Sequence, residues 1–252
     1  MRRLVAALAC RVNGARLYGK PLQLLDIDGQ MSILQHQINL LRQQPEIDQI
    51  VLGVSEGVGN QVFFDVARAA GITAIEGDER DVLRRLIQCA DAARASDVFR
   101  VTTESPFPYF EAISEAWHRH LIGGNDLTVI DGVPEGSHFE IYTREALERS
   151  HRLGDARHRS EMCSLYVREH RQEFAVAVVP VPAVVERLDL RLTVDYPEDL
   201  IVCRAVYAAL KAHAPRIPLA EIVSFLDRRP DLKRLVDPFV QPLRLYPDEE
   251  RS

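Results

Sequence analysis

Short apolar runs alternate with amphipathic segments through the first half of the chain, and that rhythm leaves few architectures open. Residues 4–9, 49–54, 72–76 and 97–102 read as strands, and residues 33–43, 60–70, 81–93 and 110–121 as helices, the second of them stopped by Gly71. Alternation at this spacing calls for βαβ units and a mostly parallel sheet covered on both faces. After Asn125 the texture changes. Strands are expected at 127–130, 138–142 and 175–179, with helices at 144–149, 161–170, 196–213 and 218–227. The helix from Tyr196 opens on Pro197 and carries Glu198 and Asp199 in its first turn, where acids favour the helix dipole. Pro-rich residues from Asp237 onward are expected as a surface arm.

The loop after the first strand carries the strongest chemical signal. Arg11-Val12-Asn13-Gly14-Ala15-Arg16-Leu17-Tyr18-Gly19-Lys20 combines two glycines with two arginines and a lysine. Such a loop can turn backbone N–H groups and three cations onto a polyphosphate. No acidic residue occurs before Asp26, although the whole chain has a net charge of -6. It is not a Walker loop, because Pro21 stands where Ser or Thr is needed to follow Gly-Lys.

Composition removes several classes. An apolar share of 46% supports a sizeable core, and no segment approaches the roughly 18 apolar residues of a membrane span. The negative balance argues against nucleic acid as an electrostatic partner. Cys10, Cys89, Cys163 and Cys203 are scattered with no metal-like spacing, which reads as four reduced thiols in a cytoplasmic protein. Met1-Arg2-Arg3, an apolar run and Cys10 have the outline of a lipoprotein signal, but the run is shorter than the roughly 7–15 residues required, so a strand is expected there.

In open α/β sheets ligands gather at the carboxyl ends of the strands. The basic loop, Ser55, Gly77-Asp78-Glu79-Arg80-Asp81 and Thr102-Thr103-Glu104-Ser105-Pro106 each follow one of the first four strands, so one edge should collect them all. A fifth piece, Thr193-Val194-Asp195-Tyr196-Pro197, sets Asp195 just before a helix. Each piece has a plainer reading. The cations are ordinary solvated residues, the Asp78–Asp81 run caps a helix, Glu104 closes a turn, and Asp195 is the N-cap of its helix.

The pieces in this order resemble the cytidylyltransferase superfamily of the glycosyltransferase-A-like α/β fold, and within it the SpsF-type spore-coat-polysaccharide branch. That branch opens on A-R-x-x-S-x-R-L-P-G-K-x-L, where this chain has Ala9-Cys10-Arg11-Val12-Asn13-Gly14-Ala15-Arg16-Leu17-Tyr18-Gly19-Lys20-Pro21-Leu22. G-x-x-x-D-V-L-x-R is met by Gly77, Asp81, Val82, Leu83 and Arg85, and R-x-T-x-D-x-P by Arg100 through Pro106. R-L-T-V-D-x-P-E-D-L is matched by Arg191 through Leu200.

The resemblance implies an α/β nucleotidyltransferase fold: a mixed, mostly parallel sheet flanked by helices, with a small acceptor and dimerisation lobe. It implies a single domain over residues 1–236, with a nucleotide half to about 125, an acceptor half from about 126 to 215, and an arm over 237–252. It implies a cytidylyltransferase that uses CTP and Mg²⁺, releases pyrophosphate, and works as a homodimer. Arg11, Arg16 and Lys20, with the backbone of Asn13 and Gly14 beside Ala9, would hold the phosphates, and Ser55, Asp81, Arg85 and Thr102 would complete the nucleotide site. Glu104 and Asp195 would hold the metal. His138, Glu140, Tyr142 and Arg159 are the candidates for binding an anionic acceptor such as a sugar acid, phosphate or phosphonate.

The chain also departs from the branch. Glu104 replaces an aspartate, Tyr18 a proline, and Gly14 or Ala15 a serine. Gly136-Ser137-His138-Phe139-Glu140-Ile141-Tyr142 stands for G-x-D-V-E-V-F, and Ser160-Glu161-Met162-Cys163-Ser164 for R-E-H-V-T. The acceptor end is thus rewritten more than the nucleotide end. Use of another nucleotide, or a catalytically silent nucleotide-binding protein, are the alternatives.

Overall fold

The first apolar run becomes β1 (Leu4–Cys10), buried almost throughout, which is why its sequence shows no polar alternation. The protein is represented by a computed structural model that describes residues 2–14 and 16–247, so Ala15 and the end of the expected arm, residues 248–252, lie outside the described residues. A small hairpin follows, β2 (Leu24–Asp26) and β3 (Met31–Ser32). Ser32 then opens α1 (Ile33–Leu41): its hydroxyl accepts from the Gln35 N–H at 3.2 Å, and the Gln35 side chain accepts from the Ser32 N–H at 2.9 Å.

Next come β4 (Gln49–Ser55), α2 (Val62–Ala70), β5 (Thr73–Gly77), α3 (Val82–Ala93), β6 (Asp97–Arg100) and α4 (Ile113–Gly123). Gly71 ends α2 with a φ of 63°, as its position after the last apolar residue predicts. The second half contributes β7 (Leu127–Ile130), β8 (Glu140–Thr143), α5 (Arg144–Leu153), α6 (Leu165–Glu169), β9 (Val176–Val179), α7 (Pro197–Leu210), α8 (Leu219–Asp227) and α9 (Pro230–Val236).

Seven strands form one sheet in the order β5-β4-β1-β6-β8-β7-β9. All pairings are parallel except those of β8, which runs antiparallel to both β6 and β7. Successive residues of β1 serve opposite faces. Leu4, Ala6, Leu8 and Cys10 join the core under α1, α4, α7 and α8, while Val5 and Ala7 join the core under α3 and α5. All four cysteines are free and buried, and no helix among the described residues is long and apolar enough to cross a membrane.

The α/β class and the order of elements agree with the sequence reading, with local differences. The strand expected from His138 begins at Glu140, and the helix expected from Glu161 begins at Leu165, because the Ser160 hydroxyl accepts the Met162 N–H in a turn. The hairpin and α9 were not anticipated.

One core residue ties stability to pH. His36 on α1 is 2% exposed and lies edge-on to Phe107 and Tyr207, with ring centroids at 5.9 and 5.3 Å. Burial lowers its pKa from 6.5 to about 4. Between those values the unfolded chain binds a proton that the folded chain does not, so this contribution to stability is complete above pH 6.5 and is lost as the pH falls toward 4. The loss is up to about 3 kcal/mol. Urea titrations of His36→Phe at pH 7 and pH 4.5 should show a shallower acid decline than the parent; identical declines would contradict this.

Candidate active site

At the carboxyl edge of β1 and β6 lies a cleft of about 350 Å³. The basic loop forms one wall. It is pinned from both sides, since the Val12 N–H donates to Asn60 Oδ1 at 2.8 Å and the Val12 carbonyl accepts the Gly19 N–H at 2.7 Å. Gly14 is required by close approach: a Cβ there would lie 2.5 Å from the Leu17 carbonyl oxygen. Arg11, Arg16 and Lys20 line the cleft with Ala9, Asn13 and Gly14.

The opposite wall carries two carboxylates. Lys20 Nζ donates to Asp195 Oδ1 at 2.5 Å, joining residues 175 positions apart. Arg16 approaches the same oxygen at 3.3 Å, and Arg191 donates to Asp195 Oδ2 at 2.8 Å. Burial raises the Asp195 carboxyl, but Lys20, helped by Arg16 and Arg191, outweighs burial and leaves the pKa below the ordinary value. Asp195 is not the N-cap of α7. Tyr196 occupies that position, and Asp199 Oδ2 accepts the Asp195 and Tyr196 N–H groups at 2.8 and 2.9 Å. Capping from the third helical position leaves the Asp195 side chain facing the cleft.

Glu104 comes from the turn after β6. Gln37 holds that turn by donating to the Thr102 carbonyl at 2.8 Å, and the Thr103 hydroxyl donates to the Ala9 carbonyl at 3.0 Å. The Glu104 carbonyl accepts the Val194 N–H at 3.0 Å, so the main chain itself sets Glu104 beside Asp195. Burial lifts the Glu104 carboxyl above its ordinary pKa; Lys20 opposes that rise and Asp195 adds to it.

Arg85 and Arg100 close the floor. Arg85 is 1% exposed and donates to the Cys10 and Gly53 carbonyls at 3.2 and 2.9 Å, while its Nε is buried without a hydrogen-bond partner. Burial lowers its pKa. Gly77 gives this side chain room, since a Cβ there would come within 2.7 Å of Arg85 Cγ. Spacing a glycine and an arginine eight residues apart therefore has a packing reason.

Several expected site residues lie elsewhere. Ser55 is fully buried, and Asp81 caps α3 through the Arg84 N–H at 2.8 Å while pairing with His151 at 2.7 Å; neither lines the cleft. Thr102 does line it, with its hydroxyl 2.7 Å from that of Ser105. Glu140 and Tyr142 sit beneath: Glu140 Oε2 accepts from Arg100 at 2.7 Å and from the Tyr142 hydroxyl at 2.8 Å. Burial raises the Glu140 carboxyl, yet Arg100 outweighs it and the pKa ends below the ordinary value. Arg159 is spent on the end of α5, donating to the His151 and Gly154 carbonyls. His138 lines a second cavity of about 170 Å³ with Asp131, Glu135 and residues of the C-terminal segment. Conversely, Arg191, Arg100 and Glu161 were not singled out. The first two begin matched motifs, which was the available signal; Glu161 pairs with Arg11 at 2.8 Å across the cleft mouth.

A mostly parallel sheet whose first strand delivers a cationic loop to two carboxylates is the arrangement of an α/β enzyme of the nucleotidyltransferase class. The chain belongs to the cytidylyltransferase family, whose profile matches residues 5–213. It is 26% identical over 235 residues to the spore coat polysaccharide biosynthesis protein SpsF of Bacillus subtilis, covering 92% of this chain and 97% of that protein. A cytidylyltransferase from Leptospira borgpetersenii superposes with a TM-score of 0.82 at 16% identity, over 92% of this chain and 97% of that one. A CMP:2-keto-3-deoxy-manno-octonic acid synthetase solved with CTP gives a TM-score of 0.63 at 14% identity, over 82% and 99%.

Proposed function

We propose that this protein is a Mg²⁺-dependent cytidylyltransferase that transfers CMP from CTP to an acidic acceptor and releases pyrophosphate. The observation that carries the reading is the meeting of Lys20 and Asp195 at 2.5 Å in a cleft that also contains Glu104. Arg11, Arg16 and Lys20 bind the triphosphate with the Asn13 and Gly14 backbone, and the buried Arg85 and Thr102 face the nucleotide from the floor. The CTP complex of the related synthetase supports cytidine as the base.

The donor set fits a hard divalent cation. Glu104 and Asp195 offer two carboxylates, and Mg²⁺ takes a couple of carboxylates with phosphate oxygens and water. No group of three or more His, Cys, Asp or Glu able to hold a metal occurs among the described residues, so the substrate's phosphates would complete the shell. When bound, the ion neutralises charge on the phosphates as the leaving pyrophosphate forms. Lys20 holds the departing phosphates and Arg16 grips the triphosphate equally before and during transfer, while the walls of the cleft hold the acceptor oxygen in line with the α-phosphorus. The acceptor–phosphorus bond forms as the bond to pyrophosphate breaks.

The cleft is lined by five cationic side chains against three carboxylates, a balance that supports an anionic acceptor as well as the triphosphate. The reading also includes a cytoplasmic site of action and a homodimer. Incubation with each of the four NTPs, with and without Mg²⁺, against a panel of sugar acids, phosphates and phosphonates tests it. Pyrophosphate release should be greatest with CTP and Mg²⁺. Preference for another base, or nucleotide binding without release across the panel, would overturn it.

A further inference from the structure

The chain beyond residue 213 lies outside the family match, yet it returns to the cleft. Packed along α7, α9 carries the chain back toward the start of that helix. There the Phe239 ring stacks on Tyr196, with centroids 3.9 Å apart and planes within 10°. A parallel ring this close fills one face of the tyrosine. The guanidinium of Arg16 also lies over this ring, 4.9 Å from its centroid, with that of Arg191 farther off at 6.0 Å. One Arg16 nitrogen donates to the Tyr196 hydroxyl at 3.3 Å and another approaches Asp195 at 3.3 Å.

Arg16, Tyr196 and Phe239 therefore form one contiguous stack at the cleft rim. Arg16 has a long, half-exposed side chain, and holding such a chain in one rotamer is entropically unfavourable unless something fixes it. Tyr196 provides that surface. Without Phe239, Tyr196 would lose the ring packed flat against it and with it support for its orientation beside Arg16.

We infer that Phe239 is a positioning residue for nucleotide binding: it fixes Tyr196 in the orientation that presents Arg16 to the triphosphate. A residue outside the shared family segment thereby sets the affinity for CTP. The inference rests on the reading of Arg16 as a phosphate ligand given above.

Steady-state kinetics on the full-length protein test it. Phe239→Ala should raise KM for CTP about five- to tenfold, with kcat within about twofold. Phe239→Leu, which keeps an apolar contact without the ring, should behave similarly, whereas Phe239→Tyr and Phe239→Trp should stay near the parent. In an Arg16→Ala background, Phe239→Ala should add no further change in KM, because the two act through one stack. Phe239→Trp combined with Trp117→Phe leaves a single tryptophan at the rim, whose emission should change on titration with CTP and Mg²⁺. A KM within twofold of the parent for Phe239→Ala and Phe239→Leu, or fully additive effects with Arg16→Ala, would overturn the inference. Lys20→Ala is the separating control. If it lost activity while the Phe239 variants kept parental KM, only the role of Phe239 would fall; if it kept the parental rate of pyrophosphate release, the phosphate-site reading would fall with it.

Discussion

Lys20→Ala and Asp195→Asn are each expected to lower the rate of pyrophosphate release from CTP at least about 10²-fold, with thermal unfolding close to that of the parent. In the proposed reaction Lys20 meets charge that builds on the leaving phosphates, and such charge stabilisation acts more strongly in the transition state than in the ground state. The fold should tolerate the change because Asp195 retains Arg16 and Arg191 when Lys20 is removed. In the reverse case, Lys20 is partly exposed and can be solvated. Retention of parental turnover by both variants would remove these two residues from the chemistry.

Arg191→Met should be the most damaging change to stability. The guanidinium is 4% exposed and bonds Glu135, Asp195 and Asp199, while Asp199 is itself 1% exposed. Burial works against the charge on Arg191, but Asp199 and Glu135 overcome it and raise its pKa. Removing the cation strands Asp199, which holds the start of α7, and takes the ion-pair partner from Glu135, while Asp195 keeps Lys20 and Arg16. Breaking a buried network of this kind costs about 3–5 kcal/mol. Arg187→Met is the informative comparison. Arg187 also holds two carboxylates, Asp189 and Asp227, but these are about half exposed, so the loss there should be about 1 kcal/mol or less. Urea midpoints of the two variants would decide it, and similar losses would show that burial is not what makes Arg191 matter.

The first half of the fold was legible because its signals are local. A run of apolar residues, a glycine-bearing basic loop and an aspartate before a helix specify β1, the cationic turn after it and the cap of α3 without reference to the rest of the chain. Asp195 shows where local logic stops. An aspartate before Pro197 reads as a cap, but Asp199 reaches back to the same N–H groups, and only the folded chain reveals which carboxylate wins. Glu140 and Tyr142 failed for a related reason. Polar residues in a strand resemble ligands until the pairing of Arg100 opposite Glu140 is known, which makes them a buried internal pair. The hairpin strands are three and two residues long, too short for any periodicity, and α9 is a single short helix whose apolar face is Leu232 and Val236.

One reversed strand governs how such a scaffold can diversify. Because β8 runs against β6 and β7, it presents its beginning, not its end, to the border where its neighbours finish. The connection from Asp131 to Phe139 is therefore carried to that border, mostly buried, with Glu135 bridged to Arg191 through backbone and side chain. A change in that connection is thus felt at Asp195 through Glu135 and Arg191, while the ladder of the seven-stranded sheet is joined without it.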